Sequence, residues 1–321
     1  MAHPVLSQFN RRAMATDFVI MLPGAVGQHA ELALDALEQL ESIENRLSVY
    51  RPESDISRLN GAAGSGPVKV SADSLAVLQR GIELSRLTRG AFDMTAGPLV
   101  EAWGFTQRRG QKPSAAVIAE ALGRVGFDKL RIDAEAGTAE LTQPGMAVNL
   151  GAIGKGFALE RIAGMLHAGG VDDFLIHGGQ SSVIAAGDDV PGMQSGWKVA
   201  IEHPLIRGRR LGGLQLADES LATSGSGKQF FHHQGKRLGH VIDPRTGWPA
   251  GELLSLTVVS RSAMDADALA TGLFVLGLEG ALAAGEWGLV AVLPTARQAD
   301  VTVQHHRLRQ DAWIHAEPAL E

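Results

Sequence analysis

After Gly170 the apolar residues fall into short separate runs, Asp173 to His177, Trp197 to Glu202, Leu211 to Leu216, Leu253 to Ser260 and Leu289 to Leu293, each the length of a strand. One helical pattern, Ala266 to about Leu276, interrupts them. No strict strand–helix–strand rhythm runs through this half, so the chain is expected to be α+β with layered mixed sheets and packed helices.

The first half supplies most of the helices. Phe18 to Leu22 reads as a strand that leads through Pro23 and Gly24 into a helix with the apolar stripe Leu37, Leu40, Ile43 and Leu47. Ser71 is placed to cap a helix burying Leu75, Leu78 and Ile82, and Ser114 one burying Val117, Ala121 and Val125. Gly154 to Ala168 reads as a fourth helix, and Gly90 to Phe105 as irregular.

The 321 residues, 45% of them hydrophobic, suffice for one large domain or two intimately packed subdomains, with a polar tail over 309–321 expected to be poorly ordered. A net charge of −6 argues against nucleic acid as a partner. The absence of cysteine excludes disulfides, thiolate metal sites and a cysteine nucleophile. Arg11 and Arg12 are followed by no long apolar stretch, and no run of about 18 apolar residues is read elsewhere. A cytoplasmic protein without a membrane segment is therefore expected.

Chemistry concentrates between Ala222 and Thr271. Asp267 and Thr271, four apart on a helix, stack a carboxylate and a hydroxyl on one face and form a candidate seat for Mg²⁺. Alone, such a pair is more often a helix-surface cap. Thr223, Ser224 and Gly225 open a small, hydroxyl-rich segment that reads either as an anion cradle or as a flexible turn. His240 precedes the Asp243-Pro-Arg-Thr-Gly247 turn, where either His240 or Asp243 is a candidate proton acceptor. Lys155, between two glycines at a helix start, adds its charge to the positive end of the helix dipole. Tyr50, the sole tyrosine, and Met14 are candidates to cover a planar ligand, or to pack at the core edge.

Together these segments resemble the ApbE family, the FAD:protein FMN transferases once described as thiamine-biosynthesis lipoproteins. The blocks run in order from Met14-Ala-Thr16 through Leu47-Ser-Val-Tyr50, Ser54 to Asn60, Gly90-Ala-Phe-Asp93-Met-Thr95, Gly97 to Phe105, Asn149-Leu-Gly-Ala-Ile-Gly-Lys155 and His177-Gly-Gly. They continue through Ala222-Thr-Ser-Gly225 and His240 to Gly247, and end at Ala266-Asp267-Ala-Leu-Ala-Thr271.

The resemblance implies a Mg²⁺-dependent enzyme that splits FAD, releases AMP and leaves FMN esterified to a Ser or Thr hydroxyl of an acceptor flavoprotein. It implies that Met14 and Tyr50 flank the isoalloxazine, that Ala91, Phe92 and Asp93 line the flavin site, and that Asn149 and Lys155 contact the cofactor. Thr223, Ser224, Gly225, His240 and Ile242 complete the implied FAD site. Asp267 and Thr271 would ligate the metal, with backbone oxygens near Ala152 and Met264, and His240 would assist proton transfer. Two departures are expected to matter: Asn149 stands where the family often has Asp, and no export signal or lipoprotein cysteine is present. An FAD pyrophosphatase and a non-catalytic flavin carrier remain the alternative readings.

Overall fold

The computed structural model describes residues 5–25, 27, 29–105, 110–227, 230–233, 236–296 and 300–315. In chain order it opens with β1 (Leu6–Ala13), β2 (Thr16–Pro23), α1 (Ala30–Leu47), α2 (Asp55–Gly61), β3 (Val68–Lys69), α3 (Ala72–Leu87), α4 (Gly97–Ala102) and α5 (Ala115–Gly123). There follow β4 (Leu130–Asp133), β5 (Thr138–Leu141), α6 (Gly154–Ala168), β6 (Phe174–Gly178), β7 (Ser182–Ala186), β8 (Trp197–Glu202) and β9 (Arg210–Leu216). The last part holds β10 (Glu219–Gly225), β11 (Phe230–His233), β12 (Lys236–Gly239), β13 (Ser255–Ser260), α7 (Ala263–Ala284), β14 (Gly288–Pro294), β15 (Val301–His306) and β16 (Trp313–His315).

An eight-stranded sheet, ordered β1-β2-β6-β7-β10-β13-β14-β15, is the centre of the fold. One face carries Phe18, Ile20, Phe174, Ile176, Leu256 and Val258 into a core shared with α1, α6 and α7. Each such large side chain, when fully buried, contributes about 1.5–3 kcal/mol. The opposite face carries Leu175, Val183, Leu221 and Val290 against Trp197, Ile201, Leu214 and Leu216 of a three-stranded sheet, β16-β9-β8. The layering is helices on sheet on sheet, an α+β arrangement as expected.

Helix α1 buries the anticipated Leu37, Leu40, Ile43 and Leu47. Ser71 and Ser114 cap as read, accepting from the N–H groups of Ser74 and Val117. Val117 itself faces solvent, and α5 buries Ile118 in its place beside the expected Ala121. The N-terminal capping serine thus located the helix, and of its expected apolar stripe Ala121 and Val125 are buried while Val117 is not. Helix α7 runs beyond its anticipated end, across a break at Gly277 (φ 72°) where Glu252 receives the Leu278 N–H at 2.9 Å. It is the one helix among the described residues long and apolar enough to cross a membrane, and here it packs in the core between the sheet and α6. The poorly ordered tail read from 309 onward does not hold for Trp313–His315, which pairs with β9; residues 316–321 lie outside the described set.

Candidate active site

The site assembles where the N-terminal halves of α6 and α7 meet the ends of β7 and β10. A close approach fixes that meeting: a Cβ on Gly156 would come within 2.2 Å of the Ala263 carbonyl oxygen, so only glycine lets α6 cross there. Glu160, one turn on, locks the crossing by accepting from the Ser262 hydroxyl at 2.7 Å and the Met264 N–H at 3.0 Å.

This crossing places Asp267 over the start of α6. Its buried carboxylate accepts from Lys155 Nζ at 3.0 and 3.2 Å, from the Gly156 N–H at 3.2 Å and from the Ser182 hydroxyl at 3.0 Å. Thr271, one turn further, shares a hydroxyl contact of 2.9 Å with Ser224. The Lys155 ammonium also lies 3.4 Å from the Gly151 carbonyl oxygen, so a carboxylate and a carbonyl surround one positive charge, with a hydroxyl one turn away. These are hard oxygen donors with a single formal negative charge, a set that fits a hard divalent cation sharing its shell with phosphate and water. Among the described residues no group of three His, Asp or Glu side chains offers an alternative metal site. The carbonyl beside the ammonium is that of Gly151; Ala152 lines the adjacent cavity, and Met264 does not.

The seat opens into a cavity of about 1010 Å³. Its walls include Met14, Tyr50, Ala91, Phe92, Asp93, Asn149, Lys155, Thr223, Ser224, Gly225, His240 and Ile242, all anticipated from sequence. The two-residue β1–β2 turn holds Met14 and Ala15 at φ 49° and 60°, a left-handed geometry that non-glycine residues rarely take. Tyr50 stands 70% exposed at the rim.

Asp93 lines the cavity while its carboxylate turns inward. It accepts from the Thr95 N–H and hydroxyl, both at 2.7 Å, and from the Phe127 N–H at 2.9 Å, and burial pushes its pKa up. Asn149 similarly braces the loop before α6, accepting the Gly151 N–H at 2.9 Å. Thr223 to Gly225 form the end of strand β10, not a flexible loop.

His240 lines the cavity with Phe105 edge-on to its ring at 6.3 Å. Asp243 does not line it: its oxygens bind the Arg245 guanidinium at 2.9 and 2.8 Å and hold the turn together. Behind the turn Trp103, fully buried, donates its indole N–H to the Gly247 carbonyl at 2.8 Å. Ile242 packs in the same small core as Trp103.

Sequence reading missed Ser182 and the role of Trp103 as the anchor of the His240 turn. Only Trp103 carried a signal, as a large aromatic inside an otherwise irregular segment.

Fold and site define an α+β enzyme with a deep ligand cavity floored by a paired lysine and aspartate. The sequence model of the ApbE family matches residues 14–293, and the chain belongs to that family. It is 34% identical over 278 residues to the FAD:protein FMN transferase of Haemophilus influenzae, spanning 84% of this chain and 80% of that protein. The corresponding protein of Vibrio cholerae is 35% identical over 269 residues, covering 81% and 78%. The solved flavin transferase ApbE of Vibrio cholerae superposes with a TM-score of 0.79 at 29% identity, covering 94% of this chain and 97% of that one. The apo flavinyl transferase ApbE of Pseudomonas stutzeri gives 0.82 at 26% identity, covering 94% and 95%.

Proposed function

We propose that this chain transfers FMN from FAD to a Ser or Thr hydroxyl of an acceptor protein, with Mg²⁺ as the metal. The observation that carries the reading is the Lys155–Asp267 pair, backed by Thr271 and opening directly into a cavity of dinucleotide size.

The acceptor oxygen forms a bond to the FMN phosphorus as the bond from that phosphorus to the bridging oxygen breaks, and AMP leaves. Mg²⁺, when bound, supplies neutralisation of the diphosphate charge. Asp267 and Thr271 would hold it, and Lys155 would turn its ammonium onto the phosphate oxygens. His240 takes the acceptor's proton, because Asp243 is committed to Arg245 and lies off the cavity. Met14 and Tyr50 bracket the flavin ring at the rim. The positioned hydroxyl in place of bulk water separates transfer from simple FAD hydrolysis.

The test is incubation with FAD, Mg²⁺ and an unflavinylated acceptor. Flavin fluorescence that survives denaturation, with equimolar AMP and complete inhibition by EDTA, is the expected result. Free FMN without labelled acceptor identifies a pyrophosphatase, and intact FAD identifies a carrier; either overturns the reading.

A further inference from the structure

Among the described residues no strand pairs with the outer edge of the three-stranded sheet. Strand β8 pairs only with β9 among the described residues, and Val199, Ala200 and Glu202 of β8 line the same cavity as Ser224 and Asp267. The direction of its polar groups follows from the ladder. Gln215 donates its N–H to the Ala312 carbonyl at 2.8 Å, so its backbone groups serve the β16 side. Hydrogen-bonding positions alternate along an antiparallel pair, and Gln215 faces Lys198. Lys198 and Ala200 therefore turn their N–H and C=O groups away from β9, toward the open edge. The Lys198 and Ala200 side chains are both exposed, while Trp197 and Ile201 anchor the strand in the core beneath.

The charge beside this edge is opposite to that of the molecule. The chain carries −6, yet Lys198, Arg207, Arg209 and Arg210 all stand exposed at the edge and in the loop after it. No carboxylate of the described residues forms an ion pair with any of the four, unlike Arg46, Arg58, Arg80 and Arg245. An exposed template of this kind is usually blunted or occupied.

We infer that the free edge of β8 receives the acceptor protein: an extended, acidic segment adds to β8 as a further strand and presents its hydroxyl along the cavity toward the Lys155–Asp267 seat. The inference rests on the proposed transfer function. Strand addition suits an enzyme whose substrate is a protein, since main-chain hydrogen bonds give affinity and the cationic rim gives orientation. The bulge between Ile201 and Glu202 limits the template to the residues before it.

The test compares two variants with the parent, using an unflavinylated preparation of a protein that carries FMN on a threonine in the cell. Lys198→Pro removes an outward N–H and crowds the edge; Arg209→Glu with Arg210→Glu reverses the rim. The expected result is a rise of about tenfold or more in acceptor KM for each, an FAD dissociation constant within twofold of the parent, and a weaker salt dependence for the charge-reversed protein. If Lys198→Pro does not fold, the charge reversal decides alone. Unchanged acceptor KM overturns the inference, as does a loss of FAD affinity, which would assign the edge to FAD. Disruption of a dimer with acceptor KM intact would assign it to a second copy and overturns it equally. A parent that labels no acceptor refutes the transfer function itself, whereas a parent that labels normally beside equally active variants refutes only the docking edge.

Discussion

Lys155 Nζ lies 3.0 Å from one carboxylate oxygen of Asp267 and 3.2 Å from the other, so the chain itself balances the charge of this buried carboxylate. Asp267→Asn is expected to lower FMN transfer by about 10²-fold or more and to destabilise the fold by about 1–3 kcal/mol, through a part-buried ammonium left without its counter-ion. The double variant Lys155→Met, Asp267→Leu should recover much of that stability without recovering activity. Thermal melts and in-gel flavin fluorescence read the two effects separately, and an active Asp267→Asn protein removes Asp267 from the metal seat.

Trp103 holds the His240 turn from behind through its bond to the Gly247 carbonyl. Trp103→Phe keeps an aromatic ring but strands a buried acceptor, a loss of about 1–3 kcal/mol. Transfer should slow while FAD affinity changes less, because the turn positions His240, the proposed proton acceptor. Equal losses in kcat and FAD binding would show instead that the whole cavity collapses.

The β1–β2 turn stores strain at Ala15, whose φ is 60°. Ala15→Gly relieves a left-handed penalty of about 1–2 kcal/mol and adds about 0.5–1 kcal/mol of unfolded-state entropy. A small net gain in melting temperature is expected, and a drop would mean that the alanine methyl packs more than the turn strains.

Burial holds the His177 imidazole below its usual pKa of 6.5, and its Nδ1 has no hydrogen-bond partner among the described residues. Below pH 6.5 the unfolded chain takes up a proton that the folded one resists, so stability falls as pH drops from 6.5 and is unaffected above it. His177→Gln should flatten this acid limb, by up to about 1.4 kcal/mol per pH unit. Denaturant midpoints between neutral and mildly acidic pH measure the slope; an unaltered slope assigns the titration to other histidines.

What the sequence made legible was whatever a local rule governs. Capping serines located α3 and α5, the 3.6 period α1 and the glycines at its ends α6, and the spacing of Asp267 to Thr271 put both on one helix face. The short α2 and α4 offer too few turns for a period to register, and β1, with Arg11, Arg12 and Asn10, has too polar an alternation to stand out. In the site, Lys155 and His240 came from motifs, but the Ser182 bond to Asp267 joins residues 85 apart and has no local trace. Asp243 was legible as a candidate only because sequence does not reveal that Arg245, two residues on, occupies it.

Gly156 brings two helices to backbone contact, so the span between the ammonium and the carboxylate is set by main chain instead of by side-chain packing. The starts of the two helices are thereby held at one separation. The exposed loop after β8 lies outside this crossing, so its residues can change without altering where the two helices meet.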